Sequence, residues 1–152
     1  NLSRRTNVMR PLLSLICALV LAAGCGAEPT VEQQVIATIR EMEARIEAGE
    51  RRPFMAYVSE DFRGQGGSLN RDQLRALLIM QLNRYQRLQG QLLPIHVEET
   101  GEDTATARFS ALVSGGPDWI PESGQVFEFR TGWRRADGEW QVVTADWEPV
   151  AP

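Results

Sequence analysis

Apolar residues recur at helical spacing over the first part of the chain and then switch to alternation, so the pattern predicts helices followed by strands. Val35, Ile39, Met42 and Ile46 fall on one face of a helix over 31–48, with Thr30-x-x-Gln33 as its capping box and Gly49 as its stop. Arg40, Glu41, Glu43, Arg45 and Glu47 line the wet side of that helix. Pro53 opens a short second helix through Phe54, Met55, Tyr57 and Val58, closing near Ser59-Glu60-Asp61-Phe62. Gly64-Gln65-Gly66-Gly67 reads as a loop, and it lacks the Gly-Lys-Ser/Thr ending of a phosphate loop. Asn70-x-x-Gln73 caps a third helix, whose stripe of Leu74, Leu77, Leu78, Leu82, Tyr85 and Leu88 ends at Gly90.

The pattern then becomes one of strands over 91–99, 104–114, 125–135 and 139–148. Ala105, Ala107, Phe109, Ala111 and Val113 alternate with polar residues, the period of a half-buried antiparallel strand. Asp137-Gly138 joins the last two strands as a two-residue hairpin turn. That turn pairs Arg135 with Trp140, Trp133 with Val142, Thr131 with Thr144 and Phe129 with Asp146. One face then carries Phe127, Phe129, Trp133, Trp140, Val142 and Asp146 and forms the core, while Glu128, Arg130, Arg134, Gln141, Val143 and Trp147 face outward. The expected architecture is α+β: three helices packed on a curved antiparallel sheet of about four strands.

Upstream, Arg10 precedes an apolar run from Pro11 to Ala23, too short for the roughly 20 residues of a spanning helix and suited to a cleaved export signal. Leu21-Ala22-Ala23-Gly24-Cys25 resembles the lipobox of bacterial lipoproteins, which implies lipidation of Cys25 and cleavage before it. An ordinary secretory signal cut after Ala23 or Gly24 is the competing reading. Residues 1–24 are thus the expected signal, with Met9 as the expected start, residues 25–30 a short tether, 31–148 the domain and 149–152 a tail. Gly26 after the cysteine implies, in a Gram-negative envelope, the outer membrane facing the periplasm.

Composition narrows the partners. The chain has 43% hydrophobic and 24% charged residues, which excludes a wholly disordered chain and leaves room for one domain. Every basic side chain is Arg, and removing Arg4, Arg5 and Arg10 with the signal makes the net charge of −4 more negative by three. Such a surface is repelled by phosphate backbones, so nucleic acid is not an expected partner. With Cys17 in the signal and Cys25 lipidated, the domain keeps no thiol. One His, His96, and no calcium-loop spacing give no metal site and no expected cofactor. Ser114-Gly115-Gly116 and Ser123-Gly124 read as turns, and Trp119, between Pro117 and Pro121, as a loop anchor or a lid.

The order helix, short helix ending in Ser-Glu-Asp-Phe, long helix, then a curved sheet closing on Asp137-Gly138-Glu139-Trp140-Gln141-Val142-Val143 resembles the NTF2-like superfamily, which includes SnoaL-like cyclases, scytalone dehydratase and ketosteroid isomerase. The resemblance covers residues 31–148 and implies a cone with a pocket at its wide end, lined here by Phe127, Phe129, Trp133 and Trp140. Enzymes of that superfamily place an acid or histidine base and a hydrogen-bond donor in the pocket; Asp61 and Asp146 are the candidate bases and Tyr57 the candidate donor, each with a plain structural role as the competing reading.

The favoured expectation is a membrane-anchored lipoprotein binding a small molecule or an envelope protein. The resemblance also implies a homodimer through an outer sheet face of Arg130, Val143 and Trp147. An isomerase, dehydratase or cyclase using a pocket aspartate is the alternative, and would require a buried acid near a donor. A structural envelope component with a filled cavity is the third reading.

Overall fold

The computed structural model describes residues 26–84, 88–115 and 123–150. The expected signal, Cys25, Tyr85, Gly116, Trp119 and the last two residues lie outside these. Among the described residues no helix is long and apolar enough to cross a membrane.

Helix α1 (Val31–Glu47) is fixed at both ends by local chemistry. At its start Gln33 N–H donates to Thr30 Oγ1 at 3.2 Å while Thr30 N–H donates to Gln33 Oε1 at 3.0 Å. At its end Gly49 adopts φ +71°, and the N–H groups of Gly49 and Glu50 bond back to the Ile46 and Arg45 carbonyls, the Schellman arrangement that glycine favours. Helix α2 (Arg51–Ala56) is shorter than expected, because Val58–Gly64 is strand β1 and not the end of a helix. After a tight turn at Gln65–Gly67, strand β2 (Leu69–Asn70) leads into α3 (Arg71–Arg84), entered through a second capping box between Asn70 and Gln73. The side chain of Arg71 donates to the Met55 and Val58 carbonyls and so ties α3 to the α2–β1 junction.

Leu88 and Gly90, expected to end the third helix, belong instead to β3 (Leu88–Leu92). The strand expected over 91–99 is divided: β3 and β4 (His96–Gly101) lie one after the other along the same edge of β5 (Thr104–Gly115). Pro94, which has no N–H to donate, falls in the gap between them. Strands β6 (Ser123–Ala136) and β7 (Glu139–Pro149) complete the sheet. Its order is β2-β1-β7-β6-β5-β3, with β4 also on β5, giving seven strands where about four were expected. The sheet is mixed, since β1 joins β7 in parallel.

The Asp137-Gly138 turn has positive φ at both residues, +53° and +79°, as a type I′ hairpin demands. Pairing starts as expected, Arg135 with Trp140 and Trp133 with Val142. It then shifts by one residue between Gly132 and Trp133, so Gly132 meets Thr144, Arg130 meets Asp146 and Phe129 meets Trp147. The bulge corrects the expected pairs Thr131–Thr144 and Phe129–Asp146, and because side chains alternate, it exchanges the faces of every later residue in β7. Helix α1 lies against β3, β4, β5 and β7, and the core between them includes Val35, Ile39, Met55, Val58, Phe62, Trp133, Trp140 and Val142.

Candidate functional site

The inner face of the sheet and helices α1 and α3 border a half-open cavity of about 370 Å³. Its wall includes Ile39, Met42, Ile46, Leu74, Leu78, Phe109, Phe127, Phe129, Trp133 and Trp147. Phe109, Phe129 and Trp147 stand in register on β5, β6 and β7, so they form an aromatic row across three strands. The Phe109 and Phe129 rings stack at 5.1 Å with planes 9° apart, and Trp147 lies 6.2 Å from Phe129 at 28°.

The polar groups on this wall are few. Thr131 is engaged twice: its hydroxyl accepts from Trp133 Nε1 at 2.8 Å and donates to the Ala107 carbonyl at 3.2 Å. Gln81 and Gln89 contribute amides, and Glu43 is the one ionisable side chain of the wall among the described residues. Burial pushes the Glu43 carboxyl above its ordinary value, and the neighbouring charge of Glu47 adds to this, against the Leu92 N–H and Arg40. Glu43 was expected on the wet side of α1. It stands four residues after Ile39 and three before Ile46, a spacing that already put it beside the apolar stripe.

Glu43 also serves the sheet. Its Oε1 accepts the Leu92 N–H at 3.3 Å, and Glu47 Oε1 accepts the Gly90 N–H at 3.2 Å. Two carboxylates one helical turn apart thereby satisfy donors of β3, a strand at the edge of the sheet.

Of the residues singled out from the sequence, Phe127, Phe129 and Trp133 lie on the cavity wall. Trp140 does not: it is buried in the core beside α1, where its indole N–H donates to Gln34 Oε1 at 2.9 Å and the Arg135 guanidinium lies 5.4 Å from its ring. Asp61 sits on exposed surface outside the cavity, bridged by Arg134 at 2.8 Å and accepting from Ser59 Oγ at 2.6 Å. Arg134 first, and then Ser59, hold its carboxyl down at about 2, which makes it a poor base. The bulge carries Asp146 to the outer face, where Oδ1 accepts the Gly66 N–H at 2.8 Å, and carries Trp147 inward to the aromatic row. Both placements correct the expected faces. Tyr57 caps α2, its carbonyl accepts from Val142 N–H at 2.9 Å, and its ring is not part of the wall. On the outer face Arg130 lies between Glu148 at 2.9 Å and Glu128 at 3.7 Å, with Val143 beside Gly132. His96 is exposed on the edge strand β4, and among the described residues no group of three or more His, Cys, Asp or Glu is placed to hold a metal.

No family model and no curated protein matches the chain. Solved structures do. The chain is similar to a candidate scytalone dehydratase from Novosphingobium aromaticivorans, with a TM-score of 0.69 and 12% identity over 79% of this chain and 84% of that one. It is also similar to a candidate dehydratase of the NTF2-like family from Streptomyces avermitilis, with a TM-score of 0.68 and 17% identity over 79% and 96% of the two chains. A third, an NTF2-like protein with a cystatin-like fold from Novosphingobium aromaticivorans, gives 0.65 and 21% over 93% and 92%. The fold is therefore that of the NTF2-like proteins, of the α+β class. Identities this low establish the fold and carry no activity with them.

Proposed function

We propose that this chain is an envelope lipoprotein, tethered through Cys25, whose cone holds one small apolar molecule. The observation that carries the binding reading is the makeup of the cavity: about 370 Å³ walled by aromatic and aliphatic side chains, with Asp61, Asp146 and Tyr57 outside it. Small-molecule sites span ~300–1,000 Å³ and combine such walls with a few placed polar groups. The membrane tether rests on the lipobox-like Leu21–Cys25 alone. A second copy of the chain, or an envelope protein, docking on the outer face around Arg130 and Val143 is a companion proposal, tested by sedimentation at high concentration.

One observation favours the isomerase, dehydratase or cyclase reading: Glu43 is a carboxyl of raised pKa on the wall of an apolar cavity, the environment in which such a group works as an acid or base. General acid–base chemistry also needs a partner within hydrogen-bond reach of the same substrate, and Asp61, Asp146 and Tyr57 are not placed to be that partner.

Mass spectrometry of the protein purified from its native membrane under non-denaturing conditions tests the proposal. The expected result is a diacylglyceryl group on Cys25 and a co-purifying apolar molecule. A free Cys25 thiol overturns the tether, and a cavity that neither retains nor takes up any apolar compound overturns the binding reading.

A further inference from the structure

We infer that Glu43 is the polar anchor of the cavity and that its ligand is a ring-bearing apolar molecule ending in a hydrogen-bond donor, an ammonium or hydroxyl group; this rests on the binding reading above. Among the described residues Glu43 has no ion-pair partner, and the one hydrogen bond it accepts, from Leu92 N–H, falls on Oε1. The ionised carboxylate is an acceptor with about four lone-pair sites, so most of its capacity is free for a donor and none of it serves an acceptor. Thr131 is the weaker acceptor, since its hydroxyl is uncharged and one of its two lone pairs is taken by Trp133.

The opposite character of ligand is disfavoured twice. Glu47 stands one turn from Glu43 and adds a second negative charge, so a ligand carboxylate would meet repulsion at the anchor. The row of Phe109, Phe129 and Trp147 offers π faces, which attract a flat ring by stacking and a cation electrostatically. One helix thus supplies the acceptor and three strands the ring surface of the same cavity.

Three probes that share one ring system separate these contributions: 2-naphthylmethylamine, cationic at neutral pH, 2-naphthylmethanol and 2-naphthoate. Binding to the full chain is read by calorimetry and by quenching of tryptophan emission, Trp133 and Trp147 both lying on the wall. The amine is expected to bind at least about tenfold more tightly than the carboxylate, with the alcohol between them, as a charge-assisted hydrogen bond implies. In Glu43→Gln the ratio of amine to carboxylate is expected to collapse to within about threefold, since the charge that discriminates is gone. Equal binding of the three probes to the wild-type chain, or an unchanged ratio in the variant, overturns the anchor and leaves apolar binding standing. Failure of all three to bind at their solubility limit overturns the binding reading itself. If Glu43→Gln does not fold, Glu43→Met takes its place and the same collapse of the ratio is expected, an unchanged ratio again overturning the anchor.

Discussion

Replacing Trp147 by alanine probes the bulge in β7, because the two registers of that strand put the ring on opposite faces of the sheet. Continued without a shift, the hairpin would leave position 147 facing solvent, where truncation changes stability by no more than about 0.5 kcal/mol. In the shifted register the indole packs against the core and stacks on Phe129 at 6.2 Å. An aromatic side chain of this kind buries ~150–250 Å² when fully enclosed. Trp147 is partly buried, and about 100 Å² withdrawn from water is worth ~2.5 kcal/mol at ~25 cal/mol/Å². Loss of the aromatic pair adds ~0.5–1 kcal/mol. The sum, about 3 kcal/mol, sits at the lower end of the ~3–5 kcal/mol known for Trp or Phe truncation in cores. It corresponds to a fall in Tm of roughly 10–15 °C for a domain of this size. Urea unfolding followed by far-ultraviolet circular dichroism measures it, with Asp146→Ala as the comparison. Asp146 gives up one exposed hydrogen bond from Gly66 and is expected to cost no more than about 1 kcal/mol. A loss below about 0.5 kcal/mol in Trp147→Ala, or a larger loss in Asp146→Ala, would refute the shifted register.

Three further outcomes are expected. Gly64→Ala should cost ~1–3 kcal/mol in thermal unfolding, because a Cβ there would lie 2.9 Å from the Ala145 carbonyl oxygen and 3.1 Å from the Phe62 ring; an unchanged Tm would contradict the close approach of β1 to β7. The carboxyl of Asp61 is held at about 2 instead of 3.8 by Arg134 and Ser59, so its contribution is complete above 3.8 and is lost as pH falls through about 2. Asp61→Asn should lower stability at neutral pH and flatten the acid limb of the stability curve below about pH 4, and two parallel curves would contradict this. Glu43 has the opposite sign: its folded value is raised, so its contribution is complete below the ordinary value of 4.5 and declines as pH rises through the folded value. Glu43→Gln is therefore expected to be more stable than the wild-type chain at pH 7 and to converge with it in acid, measured by urea midpoints; a variant less stable at pH 7 would show that the Leu92 hydrogen bond outweighs burial.

What the sequence made legible is local. Both capping boxes, the glycine stop of α1 and the Asp137-Gly138 turn are set by residues within a few positions of one another, and each forms where its own chemistry places it. The misread segments depend on distant partners. Val58–Gly64 carries Ser59, Glu60 and Asp61 in succession, with no period of two, and becomes a strand because β7 accepts it in parallel and Arg134 bridges Asp61 from β6. Leu88–Leu92 extends the helical stripe in sequence yet is a strand, since its donors meet β5 on one side and Glu43 and Glu47 on the other.

The candidate site was half legible for the same reason. Phe127, Phe129 and Trp133 lie on β6, which carries no inserted residue, and follow simple alternation into the cavity. Past the bulge alternation is reset, and its two traces in sequence are adjacent apolar residues, Val142-Val143, opposite a glycine, Gly132. A Cβ at position 132 would meet the Thr144 hydroxyl, so a larger residue there would require that side chain to turn. The consequence is chemical. Without the extra residue Asp146 would stand beside Phe129 on the aromatic wall, and the cavity would hold a buried carboxyl on the sheet as well as Glu43 on the helix, the kind of pair from which an acid–base site is built. With it, an indole takes that place, the carboxylate moves to the outer face against Gly66, and Glu43 is left, among the described residues, as the single charge on the cavity wall.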